Sequence, residues 1–171
     1  TYEVATDKDS VRIIDKYLQK GLCEVGSHLH VWSTPPFDSP NQYNVDKKWF
    51  PAFQSELPNY LLYEKLESLH KAIVNNFGIS PKSHRAGRWG IDNRTIKWLS
   101  QNNYLVDTSI CSRKSWRLSR GVRNFINYNS HKVGNEPYFP SLKDITISSK
   151  NKVYKNGILE VPVSNLELKF W

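Results

Sequence analysis

Short apolar segments and amphipathic helical patterns alternate along the sequence. Strands are predicted at Tyr2–Ala5, Leu22–Val25, Pro81–His84 and Leu105–Val106, and within the late segment GILEVPVS. Helices are predicted at Ser10–Lys20, Leu57–Phe77 and about Asn93–Asn102, because apolar residues recur there at helical spacing. Since strands that alternate with helices form parallel sheets, the sequence predicts one α/β domain over residues 1–171, either barrel-like or doubly wound.

The composition fits a folded domain with anionic partners. Hydrophobic residues make up 39% of the 171 positions and aromatic residues 13%, which excludes a disordered chain. The formal net charge of +8 favours nucleic acid, acidic glycans or a membrane surface, and the densest basic stretch runs from Arg113 to Arg123. No apolar run approaches the roughly 20 residues of a membrane span. The two cysteines give neither a disulfide framework nor a metal motif.

Polar residues follow three of the predicted strands. His28 and His30 follow the strand at Leu22–Val25, Arg85 follows the next, and Asp107 and Ser109 follow the third. In parallel α/β folds, ligands bind at the carboxyl ends of the strands. The sequence therefore predicts that these side chains meet on one rim of the sheet.

The two histidines of the stretch CEVGSHLHVWSTPPF are candidate metal ligands. Residues i and i+2 of an extended backbone project to the same side, so His28 and His30 can offer ring nitrogens to one ion. Such a pair needs at least one more ligand, and a carboxylate would leave an open position for water. The alternative is a pair of solvent-facing or hydrogen-bonded histidines.

Three segments resemble a known family in their order and spacing: EVGSHLHVWSTPPF, SHRAGRWGIDNRTIKWLSQNNYLVDTSI and ILEVPVS. They resemble the polysaccharide deacetylases, the carbohydrate esterase 4 or NodB-homology group, and especially the branch attached to surface-glycan biosynthesis. The similarity covers residues 22–109 well and residues 137–164 loosely. It implies a distorted (β/α) barrel, incomplete here at its N-terminus, and a divalent metal, commonly zinc, held by one aspartate and two histidines.

The resemblance implies ligand roles for the histidines. His28 matches the first histidine of the family motif. His30 takes the second ligand role, although most members place that histidine four residues after the first, where this chain has Trp32. Trp32 and Trp89 are implied to contact the glycan.

The resemblance also implies catalytic roles for the RAGRW segment. Arg85 matches the arginine that orients the catalytic aspartate, and Asp107 is its candidate partner, with a turn or helix cap as the alternative role for Asp107. The backbone amide of Arg88 falls where the family stabilises an oxyanion. The alternative for RAGRW is a glycine turn with surface arginines.

The implied reaction is hydrolysis of an N-acetyl or O-acetyl group on a sugar of a polysaccharide or surface glycan. A metal such as zinc would polarise the acetyl carbonyl and lower the pKa of its bound water to about 7. The family's Asp-Asp motif and acid histidine have no counterpart here, so the chain is expected to be an internal piece of a larger domain.

Two other functions fit the sequence. One is a member of the family that binds glycan through Trp32, Trp49 and Trp89 without hydrolysing it. The other is a basic protein that docks on nucleic acid or an anionic membrane. The biosynthetic branch implies a cytoplasmic location, whereas secreted members would lie in the cell envelope or outside the cell.

Overall fold

Four short parallel strands form the centre of the fold in a computed structural model, which describes residues 1–37, 51–112, 128, 134–149 and 157–164. The strands are β1 (Ser27–Leu29), β2 (Ser83–Ala86), β3 (Val106–Asp107) and β4 (Leu159–Glu160). They pair in chain order, and every pair is parallel. The predicted parallel α/β architecture is confirmed. Among the described residues the sheet is open, so the barrel stays a prediction.

Four α-helices accompany the sheet in the described part of the chain: α1 (Tyr2–Thr6), α2 (Lys8–Leu18), α3 (Asn59–Phe77) and α4 (Asn93–Gln101). Two short 3-10 helices, Gln54–Glu56 and Gly87–Trp89, lie in the connections. The Asp7 carboxylate caps α2 by accepting a hydrogen bond from the Ser10 N–H at 2.8 Å. Gly78, with φ of 66°, ends α3 in the left-handed conformation that glycine adopts most easily. No described helix combines the length and apolar character that a membrane crossing requires.

Two of the predicted strands are wrong. Tyr2–Ala5 lies in α1, because this short segment fits a helical face as well as a strand and buries Ala5 where α1 packs against α3. Leu22–Val25 lies outside the sheet, and Leu22 is 70% exposed. The sheet begins at Ser27, which pairs with β2, so His28 lies within β1 rather than after it.

The hydrophobic core lies between α3 and one face of the sheet. The predicted apolar stripe of α3 is buried at Leu61, Leu62, Leu66, Leu69 and Ile73. These side chains share one core cluster with Leu29 and Ala86. Because side chains alternate along a strand, the core-facing positions of β1 and β2 leave His28 and Arg85 on the opposite side. We call the side of Leu29 and Ala86 the inner face and the side of His28 and Arg85 the outer face.

The loop predicted between Ser33 and Pro58 is held by polar side chains at both described ends. The buried Lys65 ammonium of α3 donates to the carbonyl oxygens of Thr34 at 2.5 Å and Pro36 at 2.7 Å. The Arg94 guanidinium of α4 donates to the carbonyl oxygens of Ser55 and Leu57, each at 2.9 Å. Residues 38–50, which include Trp49, lie outside the described residues. Both ends of the loop are thus attached to helices that pack on the sheet.

Candidate functional site

His28 is fixed by its neighbour across the sheet. It pairs in register with Arg85, and its Nδ1 lies 2.8 Å from the Arg85 carbonyl oxygen. A carbonyl oxygen only accepts, so Nδ1 carries the hydrogen and the lone pair is on Nε2. Metal-binding histidines are commonly held in this way, with one ring nitrogen donating to a carbonyl group and the other left for the ion.

His30 lies beside His28, as the i, i+2 spacing predicts. The two ring centroids are 4.5 Å apart with an edge-to-face angle of 73°. On its other side, the His30 ring stacks on Trp32 at 4.5 Å and 19°. Trp32 is 42% exposed. The three rings therefore form a continuous, partly open surface at the end of β1.

Both histidines are held in the neutral form. Burial is the main cause that lowers the pKa of His28, and the positive charge of Arg85 adds to it. Burial likewise lowers the pKa of His30, with a further contribution from Arg88 and an opposing one from the Glu3 carboxylate. Neutral imidazoles keep a lone pair at physiological pH, which is the state that binds a metal ion.

The donor set fits only part of a metal centre. Two imidazoles suit zinc, but a zinc site with an open position uses three protein ligands. Among the described residues, no group of three histidine, cysteine, aspartate or glutamate side chains is placed to hold an ion. Glu3 acts on His30 through its charge and does not complete such a group. The described residues therefore do not contain a complete zinc site.

The RAGRW segment forms a strained turn directly over the histidine segment. Arg88 and Trp89 adopt left-handed backbone conformations, with φ of 52° and 58°. Such conformations cost about 1–3 kcal/mol each for residues other than glycine and persist only where the surroundings impose them. Here the Tyr128 hydroxyl donates to the Trp89 carbonyl oxygen at 2.6 Å. A side chain at Gly87 would lie 2.4 Å from the Leu29 carbonyl oxygen, so glycine permits the close approach.

This turn brings Arg88 to the exposed tryptophan. The Arg88 guanidinium carbon lies 5.1 Å from the centroid of the Trp32 ring, within the range of a cation–π contact. Arg88 is exposed, and Trp89 is half-buried. The structure therefore gathers His28, His30, Trp32 and Arg88 in one place. The role of the Arg88 amide as an oxyanion donor stays a prediction.

Asp107 is not part of this group. The expected pairing of Asp107 with Arg85 is wrong, because the register places Asp107 beside His84, and Arg85 points to the opposite face. Asp107 is completely buried, whereas Arg85 is exposed. The predicted rim therefore separates into an outer site with the histidines and an inner network with Asp107.

The inner network contains an acid pair. Asp107 and Glu160 are register neighbours on β3 and β4, and their carboxyl groups interact in the interior, where burial favours the protonated form of each. Asp107 also accepts hydrogen bonds from the Ser109 hydroxyl at 2.7 Å and the Ser109 N–H at 3.0 Å, and Glu160 accepts one from the Ile110 N–H at 2.9 Å. Burial and the charge of Asp107 raise the pKa of Glu160 far above its usual value, so Glu160 carries the proton.

The acid pair belongs to a row of polar residues that crosses the whole inner face. Ser27, His84, Asp107 and Glu160 occupy successive register positions on the four strands, and each is at most 4% exposed. The Ser27 hydroxyl and His84 Nδ1 are 2.7 Å apart, and burial lowers the pKa of His84 to about 3. Sequence reasoning missed Glu160. An acid within the apolar run ILEVPV was the available signal, since a buried strand position rarely holds an unpartnered carboxylate.

The comparisons with known proteins support the fold. No family model matches the chain, and no curated protein matches it in sequence. Among solved structures, the chain resembles the crystal structure of a candidate polysaccharide deacetylase from Mycobacterium smegmatis, with a TM-score of 0.53 and 16% sequence identity. The two chains share a fold. The match covers 94% of this chain and 38% of the neighbour, so the chain spans well under half of that protein's length.

Proposed function

We propose that this chain carries the metal-binding half of a site that removes acetyl groups from N-acetylated or O-acetylated sugars of a polysaccharide. The observation that carries the proposal is the geometry of His28, whose Nδ1 is engaged by the Arg85 carbonyl group and whose Nε2 is left to bind an ion. His30 lies beside it, and both are held neutral. The fold shared with a candidate polysaccharide deacetylase supports the choice of substrate class.

His28 and His30 would hold the ion, and zinc is the metal that such a pair suits best. When bound, zinc supplies a water of lowered pKa and polarises a carbonyl group. The full site needs a third ligand, for which a carboxylate is the chemical choice because it leaves one position open. The proposal therefore requires that ligand to come from outside the described residues.

The remaining residues would bind and orient the sugar. The Trp32 ring, exposed at the end of the histidine stack, offers a flat surface against which a sugar face can lie. Trp89 would form a second wall beside the turn. The amide of Arg88, in its imposed left-handed conformation, would donate to the oxygen that becomes negative when the acetyl group is attacked.

Zinc binding tests the proposal most directly. The chain is dialysed against Zn²⁺ and its retained metal is compared with that of His28→Ala, His30→Ala and the matched control His70→Gln. His70 is a helix histidine that contacts Tyr104 and lies apart from the pair. We expect each site variant to weaken zinc binding at least tenfold and the control to leave it unchanged, since second-shell changes alone commonly cost tenfold or more. Equal retention by all four proteins would remove the metal claim.

A glycan-binding protein without hydrolytic activity is the second candidate. Two observations favour it: the described residues contain no group of three metal ligands, and Trp32 is exposed. The two candidates differ in one readout. Acetate release from chitotetraose in the presence of Zn²⁺ supports the deacetylase, whereas chitotetraose binding without acetate release supports the binding protein.

A further inference from the structure

We infer that the outer site recognises an anionic glycan, in which a sugar carboxylate lies next to the acetylated sugar. This inference rests on the proposed function and adds a substrate class to it. The juxtaposition that carries it is the Arg88 guanidinium held over the Trp32 ring, immediately beside the histidine pair.

Arg88 is positioned to bind an oxyanion rather than to stabilise the fold. It is exposed, and within the described residues it forms no ion pair and no side-chain hydrogen bond; its guanidinium contact is with the Trp32 face. A guanidinium that contacts an aromatic face uses its flat surface there and keeps its N–H donors for hydrogen bonds. Those donors match the two oxygens of a carboxylate.

The backbone around Arg88 supports the same conclusion. The side chain projects from a turn in which two consecutive residues, Arg88 and Trp89, are left-handed without being glycine. Gly87 allows this turn to approach the Leu29 carbonyl oxygen, and Tyr128 holds it from the other side. Arg88 is therefore presented by a rigid support, which lowers the entropy lost when it binds a ligand.

The charge balance around the histidines is positive. Arg85 acts on His28, and Arg88 acts on His30. Glu3 is the acid that faces His30. Arg85 is exposed and, like Arg88, forms no ion pair with a described residue. Two arginines against one carboxylate give the site an excess of positive charge that an anionic sugar would neutralise.

Three oligosaccharides of equal length separate the alternatives by calorimetric titration of the whole chain. A hyaluronan tetrasaccharide carries both N-acetyl groups and carboxylates, chitotetraose carries only N-acetyl groups, and tetragalacturonate carries only carboxylates. We expect the hyaluronan tetrasaccharide to bind about tenfold more tightly than either of the others, in line with one charge-assisted hydrogen-bonded pair. Arg88→Gln is expected to remove the preference, so that the hyaluronan tetrasaccharide and chitotetraose bind with equal affinity.

Arg12→Gln is the matched control, because it removes the same charge from an exposed arginine that is paired with Asp9 on α2. We expect it to keep the tenfold preference. Equal binding of the hyaluronan tetrasaccharide and chitotetraose would overturn the inference and leave the proposed function standing. Tetragalacturonate binding as tight as that of the hyaluronan tetrasaccharide would overturn it in favour of general polyanion binding. Failure to bind either acetylated glycan would contradict the inference and the proposed function together.

Discussion

The two faces of the sheet carry polar residues in opposite conditions. On the outer face and the turn above it, His28 and His30 are half-buried and Arg88 is exposed. His28 keeps Nε2 for a ligand, and Arg88 contacts the Trp32 ring while its N–H donors have no partner among the described residues. On the inner face, Asp107 and Glu160 are completely buried, and each accepts a hydrogen bond from a backbone N–H. Both sets belong to one sheet and the segments that follow its strands, and they differ in the face on which they lie.

This difference separates binding chemistry from structural chemistry. A site must be open to a ligand and must leave donor or acceptor capacity unused, which describes the outer face. A buried polar row whose members interact mainly with one another and with the backbone fixes the register of the strands instead, since a shift of one residue would move these side chains to the other face and break their interactions. The position of a polar residue along a strand therefore matters less than the face on which it lies.

Truncating one residue on each face gives the largest contrast. Asp107→Ala leaves the Ser109 donors and the Glu160 carboxyl group unpaired in the interior, so we expect the free energy of unfolding to fall by about 3–5 kcal/mol. Arg85→Ala removes an exposed side chain and keeps the carbonyl group that holds His28, so we expect a change within about 0.5 kcal/mol. Urea denaturation measures both. Similar losses for the two variants would show that the faces do not differ as described.

Adding a methyl group where the turn contacts β1 tests whether the outer face depends on this close contact. In Gly87→Ala the new methyl group would lie 2.4 Å from the Leu29 carbonyl oxygen, so the turn must move away from the histidine segment. We expect a loss of about 1–3 kcal/mol in the free energy of unfolding, as for other overpacked sites, together with weaker zinc retention.

Gly134→Ala is the matched control for that substitution. Among the described residues, the nearest atom to its new methyl group outside the adjoining residues would be the Glu136 nitrogen at 3.8 Å, an ordinary contact distance, so stability should change by less than about 0.5 kcal/mol. If Gly87→Ala were as mild as Gly134→Ala, the turn would not depend on this close approach, and the support proposed for Arg88 would be lost.

The alternating pattern predicted most of the fold. The structure confirms the α3 stripe, the α4 helix and the strand of the SHRAGRWG segment. The two helices show apolar residues at helical spacing, and the strand is bounded by turn residues. The strands at Tyr2–Ala5 and Leu22–Val25 were wrong, because four apolar-rich residues fit several structures and tertiary packing decides between them. The stretch Arg113–Arg123 lies outside the described residues.

The sequence predicted the histidine pair of the candidate site but not the position of Asp107. Spacing alone placed His28 and His30 together, because the i, i+2 relation depends only on extended backbone. The face of the sheet on which Asp107 lies depends on the register between β2 and β3, and a sequence pattern does not specify that register. The same limit hid Glu160, whose partner lies 53 residues earlier in the chain (160 − 107).

The protonated Glu160 makes the inner face sensitive to pH in a direction that the outer face does not share. Its pKa in the folded chain is raised above the value of about 4.3 in an unfolded chain. Below about pH 4 both states hold the proton and the pair contributes its full stability. As the pH rises above that value, the unfolded chain releases the proton while the folded chain keeps it. This group then removes stability progressively as the pH rises.

Glu160→Gln removes this proton equilibrium and keeps a donor to Asp107, because the amide N–H₂ can replace the carboxylic O–H. We expect its free energy of unfolding, measured in urea between pH 5 and pH 8, to fall less steeply with pH than that of the wild type. Glu136→Gln, an exposed substitution, should follow the wild-type slope. Parallel pH profiles for wild type and Glu160→Gln would mean that the pair holds no proton in the folded state. The inner face would then carry charge like the outer one.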